Sequence, residues 1–151
     1  MSKDPGIENR PILVVEDDAD LAELVVNRLN VEGYEVRSAQ TWEEGRRLLD
    51  EQLPDLLVMD LNLPDANGMD VIESLRNEPR TKRLAIVVTS AVDDTEHLVR
   101  GIRSGVMFFL TKPFELDELV RKVRSAVFQR FEMAVPEPEG EDLDPELPEE
   151  G

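Results

Sequence analysis

The stretch DLLVMDLNLPDANG, residues 55 to 68, joins an apolar run to a cluster of turn-forming residues. Four apolar residues run up to one carboxylate, Asp60, and an amide, a proline and a glycine follow at Asn62, Pro64 and Gly68. A short apolar run bounded by turn residues is typical of a strand inside a parallel sheet. A carboxylate is costly to bury without a partner. We therefore expect Asp60 at the carboxyl end of the strand, at the rim of the sheet rather than inside it.

Outward from this stretch, five apolar runs of strand length alternate with five amphipathic segments of helical period. The predicted strands are residues 11–17, 34–39, 55–61, 84–90 and 106–112. The predicted helices are residues 19–33, 41–52, 67–79, 93–105 and 115–133. Thr41 and Glu44 have the spacing of a capping box, and Gly33 and Gly105 follow predicted helix ends. Strict alternation with short connections predicts an α/β fold, a doubly wound parallel sheet with helices on both faces.

The composition limits the class of protein. Apolar residues make up 40% of 151 residues, there are no cysteines, and no apolar run reaches the length of a membrane span. We expect a soluble cytoplasmic protein with no membrane insertion. The net charge of −17 argues against direct contact with nucleic acid. We divide the chain into an N-terminal extension (1–10), one domain (11–131) and an acidic, Pro- and Glu-rich disordered tail (132–151).

Polar side chains follow four of the predicted strands. Glu16 and Asp17 end the first strand, Asp60 ends the third, Ser90 ends the fourth and Lys112 ends the fifth. Ligands of open parallel sheets bind beyond the carboxyl ends of the strands. Carboxylates gathered there repel one another unless a cation lies between them. Because every candidate ligand is an oxygen, we expect Mg²⁺, or alternatively Mn²⁺, with Asp60 as a nucleophile towards phosphorus and Lys112 offsetting the charge.

The segments ILVVEDD, DLLVMDLNLPDANG, VVTSA and TKPF, in this order, resemble the signature segments of the receiver domain of two-component response regulators. The resemblance covers about residues 11 to 131 and implies a flavodoxin-like sheet of order 2-1-3-4-5. It implies the following roles: phospho-acceptor, Asp60; metal ligands, Glu16, Asp17, Asp60 and the backbone carbonyl of Asn62; phosphoryl contacts, Ser90 and Lys112; switch residues, Ser90 and Phe109. The Lys112–Pro113 bond is expected to be cis.

The resemblance also implies a function. A histidine kinase or a histidine phosphotransfer protein would phosphorylate Asp60, and the face of helix 4, strand 5 and helix 5 would then change its partners. The chain would not be an enzyme beyond catalysing its own phosphotransfer and dephosphorylation. Neither the kinase nor the downstream protein can be predicted. The apolar segment VMFF on the predicted edge strand leaves both a monomer and a dimer through the switch face open.

Three other interpretations compete with this one. The acidic residues after the first strand could form a solvated turn with Asp18 or Asp20 as the N-cap of the first helix, and Asp60 could be a turn residue. The domain could be a pseudo-receiver, an interaction module that is never phosphorylated. It could also be a phosphatase of the haloacid dehalogenase type. That class carries a second aspartate two residues after its nucleophile, where this chain has Asn62.

Overall fold

The computed structural model describes residues 11–91 and 95–134. The predicted N-terminal extension and residues 135–151 of the predicted acidic tail lie outside the described residues. The last helix continues to Ala134, so the first three residues that we assigned to the tail are helical. In chain order the elements are β1 (Pro11–Val15), α1 (Ala19–Val31), β2 (Glu35–Ala39), α2 (Trp42–Glu51), β3 (Leu56–Asp60), β4 (Asn62–Leu63), β5 (Ala66–Asn67), α3 (Gly68–Arg76), β6 (Ala85–Ser90), α4 (Thr95–Arg103), β7 (Phe108–Thr111) and α5 (Leu116–Ala134).

Five parallel strands form one sheet in the order β2-β1-β3-β6-β7. Strands β6 and β7 are the fourth and fifth predicted strands, so the predicted order 2-1-3-4-5 is confirmed. The register pairs Asp60 with Thr89, and Ser90 with Thr111. The carboxyl ends of β3, β6 and β7 therefore lie side by side, which brings the predicted site residues of three strands to one edge.

Helices cover both faces of the sheet, as the doubly wound prediction requires. Alternate strand residues point to opposite faces, and each face has its own buried core. The core under α1 and α5 includes Ile12, Val14, Val58, Val87, Leu110, Val25, Leu29, Leu119, Val123 and Val127. The core under α2 and α3 includes Leu13, Val15, Leu57, Met59, Ile86, Val88, Leu49, Met69, Ile72 and Leu75. Strands buried on both faces explain why β1, β3 and β6 are nearly all apolar.

The helix boundaries follow the predicted capping signals. The Thr41 side chain accepts a hydrogen bond from the backbone N–H of Glu44 at 3.2 Å and begins α2. Gly33 and Gly105 have φ values of 104° and 74°, in the left-handed region that glycine tolerates best. Within the described parts of the chain, none of the helices combines the length and the apolar character needed to cross a membrane.

A short antiparallel hairpin, β4 paired with β5, was not predicted. Each of its strands has two residues, which is too short to show the alternation that marks a strand in a sequence. The sequence predicts a loop of turn formers here, and Pro64 and Asp65 do form the turn of the hairpin. The hairpin begins two residues after Asp60, so it fixes the backbone that leaves the predicted site.

Candidate functional site

Four of the predicted side chains meet at the carboxyl edge of the sheet. Lys112 lies just beyond β7, and its Nζ is 2.8 Å from Oε1 of Glu16 and 3.1 Å from Oδ2 of Asp60. One carboxylate oxygen from each of Glu16, Asp17 and Asp60 lies within 4.8 Å of the others. Residues from β3, β7 and the end of β1, far apart in sequence, thus form one cluster, as the strand-end argument predicted.

Asp60 lies at the carboxyl end of β3, as predicted, but its side chain is buried there rather than open at the rim, because Asp60 is only 3% exposed. Its charge is tolerated because both oxygens have partners. Oδ1 accepts the backbone N–H of Asn62 at 2.9 Å, and Oδ2 accepts from Lys112. The hairpin that follows Asp60 supplies the first of these partners, so the unpredicted element helps to satisfy the buried carboxylate.

Glu16 is buried as well, and burial raises its pKa even though a hydrogen bond from Lys112 opposes the shift. Burial alone would lower the pKa of Lys112. Its hydrogen bonds to Glu16 and Asp60 outweigh that effect, and the pKa of Lys112 is raised. Lys112 is therefore a firmly protonated cation held between two carboxylates. The second oxygen of Glu16 accepts the backbone N–H of Asp18 at 3.0 Å, which fixes the direction of the Glu16 carboxylate.

The donor set fits a divalent cation. The described cluster has three carboxylates, from Glu16, Asp17 and Asp60, and one lysine, so two negative charges remain without a counterion. All three acids offer oxygen, the ligand that Mg²⁺ and Mn²⁺ prefer. The Asn62 backbone is adjacent to Asp60, and a cleft of about 490 Å³ beside it is lined by Asp17, Asn62 and the hairpin. These residues would hold the metal ion, and the cleft leaves room for its remaining waters.

Of the predicted switch residues, Ser90 lies at the carboxyl edge of the sheet, and Phe109 lies further back along β7. Ser90 is buried at the end of β6, and its carbonyl accepts the backbone N–H of Lys112 at 2.7 Å. Phe109 is half-buried in β7, on the face of α2 and α3. Its ring packs directly against the backbone of α4 at Gly101, where an added Cβ would overlap the ring. The Lys112–Pro113 peptide bond is cis, as expected.

Two further residues, Asp65 and Gly68, position the backbone around the site, and the role of Asp65 was not predicted. The Asp65 carboxylate accepts the backbone N–H groups of Trp42 and Glu43, both at 2.9 Å, and so ties the hairpin turn to the start of α2. A Cβ on Gly68 would lie 2.6 Å from Cα of Leu61, so only glycine allows α3 to begin this close to β3. The sequence signal for Gly68 was present, but Asp65 looked like an ordinary turn residue.

The interpretation of Asp18 as a helix cap is confirmed. Its side chain accepts the backbone N–H of Leu21 at 3.1 Å and begins α1. The same acidic segment therefore serves two purposes. Asp18 caps the helix, while Glu16 and Asp17 face the carboxylate cluster.

The chain matches the response regulator receiver domain family over residues 12–124. This match covers more than half of the chain, and the protein therefore belongs to the receiver domain family of two-component systems. The family's fold agrees with the sheet order and with the helices on both faces described above.

Curated relatives and solved structures support the same assignment. The chain is 34% identical over 139 residues to the phosphate regulon transcriptional regulatory protein PhoB of Escherichia coli, covering 90% of this chain and 61% of PhoB. It is 33% identical to the DNA-binding dual master transcriptional regulator RpaA of Synechocystis, covering 76% of this chain and 47% of RpaA. The chain thus spans about half to three-fifths of the length of these relatives.

Among solved structures, the non-phosphorylated HemR receiver domain of Leptospira biflexa is 34% identical, with a TM-score of 0.73 and coverage of 79% of this chain and 94% of that one. A CheY-like receiver domain from Methanospirillum hungatei is 23% identical, with a TM-score of 0.78 and coverage of 84% and 100%. The second likeness bears on the fold alone.

Proposed function

We propose that this receiver domain is a phosphorylation-dependent switch in which Asp60 accepts a phosphoryl group from a phosphohistidine of a sensor kinase or a phosphotransfer protein. The observation that carries the proposal is Lys112 Nζ lying between Glu16 and Asp60, inside a cluster of three carboxylates. A purely structural ion pair needs one carboxylate for one lysine. An excess of acids around a partly buried lysine suits a site that also receives a divalent cation and a phosphoryl group.

The chemistry follows from the positions of these side chains. A carboxylate oxygen of Asp60 forms a bond to phosphorus while the P–N bond to the donor imidazole breaks, and the electron pair of that bond remains on the imidazole nitrogen. Lys112 is within reach of the new phosphoryl oxygens and pairs with one of them. The Ser90 hydroxyl donates to another. When bound, Mg²⁺ held by Glu16 and Asp17 offsets the negative charge on the phosphoryl oxygens.

The acceptor is tested with acetyl phosphate and Mg²⁺. The wild type should gain the mass of one phosphoryl group, and Asp60→Asn should gain none. Asp70→Asn, which removes an exposed carboxylate paired with Arg100 on the outer side of α3, is the matched control and should label like the wild type. Equal labelling of Asp60→Asn and the wild type would overturn the assignment.

The pseudo-receiver interpretation is the alternative outcome of a Mg²⁺ titration. Trp42 is the only tryptophan, and its backbone donates to Asp65 in the hairpin that follows Asp60. Its fluorescence should therefore respond to millimolar Mg²⁺. A silent titration, together with an absence of phosphoryl labelling, would favour an interaction module. We further propose that the domain has no external substrate. Steady hydrolysis of a phosphate ester would contradict this.

The switch is proposed to act through Phe109 and α4. Phosphorylation draws Ser90 towards the phosphoryl group, and the ring of Phe109 adjusts its packing between β7 and α4. Because the ring packs directly on the backbone of Gly101, a small movement of either residue requires the other to move as well. The described part of α4 also carries three exposed apolar side chains, Leu98, Val99 and Ile102. These belong to the surface formed by α4, β7 and α5, the face expected to change partners.

Gly101→Ala tests this coupling. The added methyl group overlaps the ring, so Phe109 should leave its place in the core, at a cost of about 1–3 kcal/mol. Phosphoryl labelling of Asp60 should persist, because Gly101 is not part of the carboxylate cluster. The Phe109 ring signals in NMR spectra of the unphosphorylated variant should shift. Unchanged ring signals would argue against a packing contact between the Phe109 ring and Gly101.

The output is proposed to be protein–protein contact in the cytoplasm, with a monomer–dimer change through the α4, β7 and α5 surface as one form of it. PhoB and RpaA are named as transcriptional regulators, but the present chain spans only part of their length. Light scattering after size exclusion, with and without beryllofluoride and Mg²⁺, should show whether acyl-phosphate mimicry changes the mass. A constant mass would leave a different downstream protein as the partner of this surface.

A further inference from the structure

A groove on the opposite side of α5 from Phe108 is lined by Tyr34, Arg121, Arg124, Ser125, Val127 and Phe128. Its volume is about 410 Å³. Tyr34 and Val127 are buried and form an apolar floor, whereas Phe128 is 54% exposed at its edge. The exposed ring of Phe128 extends the apolar floor, so the groove can accept an apolar side chain.

The rim of the groove is basic although the chain has a net charge of −17. Arg121 is exposed and forms no ion pair with any residue in the described ranges. Arg124 donates to Glu32 at 2.8 Å and also interacts with the Tyr34 hydroxyl, but a guanidinium has five N–H donors, so further donors remain for an occupant of the groove. Lys122, between them in sequence, lies over the ring of Phe108, 5.0 Å from its centroid, and is committed elsewhere. The groove thus combines an apolar floor with two cationic side chains.

The chain contains a segment of matching chemistry directly after α5. The sequence EDLDPEL, residues 141–147, places Leu143 between acidic neighbours and carries four acids and no base. We propose that this segment folds back onto α5 of the same molecule, with Leu143 on the apolar floor beside Phe128 and its acidic neighbours paired with Arg121 and Arg124.

The segment is long enough to reach the groove. Arg124 is ten residues before the end of α5 at Ala134, about 15 Å along a helix. Leu143 is nine residues beyond Ala134, and nine extended residues span about 30 Å. Pro136 and Pro138 disfavour continuation of the helix, which is what a return of the chain requires.

Because the segment is joined covalently to α5, even a weak contact is sufficient to keep it in the groove. A segment joined to its site by a short flexible linker has an effective concentration of about a millimolar. A contact with a dissociation constant in the millimolar range, too weak to detect between separate molecules, would then be substantially occupied. Its ionic part should weaken with salt, since the Debye length falls from about 10 Å at 0.1 M to about 3 Å at 1 M.

The absence of cysteine allows a direct test on the full chain. A nitroxide attached to Glu146→Cys should broaden the amide signals of Tyr34 and of residues 121–128, and spare those of α2. The broadening should decline in 1 M NaCl. It should be lost in Leu143→Ser and in Phe128→Ser, a variant that changes only an exposed side chain. Ile102→Ser, an equally exposed apolar change on α4, is the control and should leave the broadening intact.

Three outcomes would overturn the proposal. Broadening that survives both Leu143→Ser and Phe128→Ser would show that the groove does not hold this segment. Broadening centred on another basic region, the pocket at the far ends of α3 and α4 with Lys82 and Arg103, would move the contact elsewhere. Broadening of isotope-labelled protein by spin-labelled, unenriched protein in a mixed sample would show that the segment binds a second copy instead.

Discussion

The two edges of the sheet each enclose a partly buried cation, and they handle its charge in opposite ways. At the carboxyl edge, Lys112 lies between the carboxylates of Glu16 and Asp60. At the amino edge, Arg76 at the end of α3 reaches into the loops before β6 and β7. Among the described residues, its guanidinium donates only to backbone carbonyls, those of Thr81, Lys82, Leu84, Ser104 and Gly105, at 2.6–3.2 Å.

The pKa shifts express this difference. Burial acts to lower the pKa of both side chains. In Lys112 the hydrogen bonds to Glu16 and Asp60 more than offset that effect, whereas the pKa of Arg76 stays lowered because no carboxylate compensates for burial. Charged partners can be exchanged for an ion or a phosphoryl group, but backbone carbonyls are fixed parts of the fold. The partners of Lys112 at the carboxyl edge can therefore change when a ligand binds, whereas the partners of Arg76 at the amino edge are fixed.

The largest effect on stability is expected at the rigid edge. Arg76→Ala removes the guanidinium that five backbone carbonyls in two loops share, and we expect the free energy of unfolding to fall by about 3 kcal/mol. Urea unfolding measures it. Arg80→Ala is the matched control: Arg80 also donates to carbonyls, at Leu49 and Asp50, but is exposed and should cost under about 1 kcal/mol. Equal losses in the two variants would contradict the distinction.

A smaller and reversible effect is expected at the carboxyl edge. Lys112→Met removes the cation between Glu16 and Asp60, and the uncompensated carboxylates should lower stability by about 1–2 kcal/mol in metal-free buffer. Mg²⁺ at ten times its dissociation constant should return about 1.4 kcal/mol, because it binds the folded state. The same Mg²⁺ addition should stabilise Arg76→Ala no more than it stabilises the wild type. If Mg²⁺ does not stabilise Lys112→Met, the carboxylates are not a cation site.

The same contrast explains how much could be predicted from the sequence. Strand-end acids and Lys112 were predictable because parallel strands place their carboxyl ends at one edge, so order along the chain translates into proximity. Arg76 was not predictable. It occupies an ordinary position in the last turn of a helix. Its partners are backbone carbonyls, which every residue has, so the sequence does not indicate which ones it contacts. The exposure of Asp60 was misjudged because its N–H partner comes from a hairpin too short to recognise.

Gly101 shows a related limit. A glycine inside a helix lowers helix propensity and gives no hint of its reason. Only the structure shows that the ring of Phe109 occupies the space of the missing side chain. The switch aromatic itself could be assigned by resemblance, whereas the surface that receives it depends on a contact between two distant segments.

The smallest effect on stability is expected for Asp65. Its dependence on pH distinguishes a contribution of charge from a contribution of backbone geometry at the carboxyl edge. Hydrogen bonds from the backbone N–H groups of Trp42 and Glu43 hold the pKa of Asp65 below its ordinary value of 3.8. A carboxylate with a lowered pKa stabilises the folded state above its unfolded pKa, and that contribution is lost as the pH falls through the folded pKa. Asp65→Ala should therefore be less stable than the wild type at pH 7. The gap in Tm between them should begin to narrow below about pH 3.8 and should close once the pH is below the folded pKa of Asp65.

Thr41→Ala is the matched control for this prediction, because Thr41 caps the same helix with a neutral hydroxyl. Its loss of about 1 kcal/mol should be the same at pH 7 and at pH 3.5. If the Asp65→Ala gap were equally independent of pH, the carboxylate would act only through the shape of the hairpin turn. A gap that closes on acidification would instead show that a charge on the loop after Asp60 holds α2 in place. The carboxyl edge would then depend on charge beyond the Lys112 cluster, while the carbonyl-bound amino edge would not.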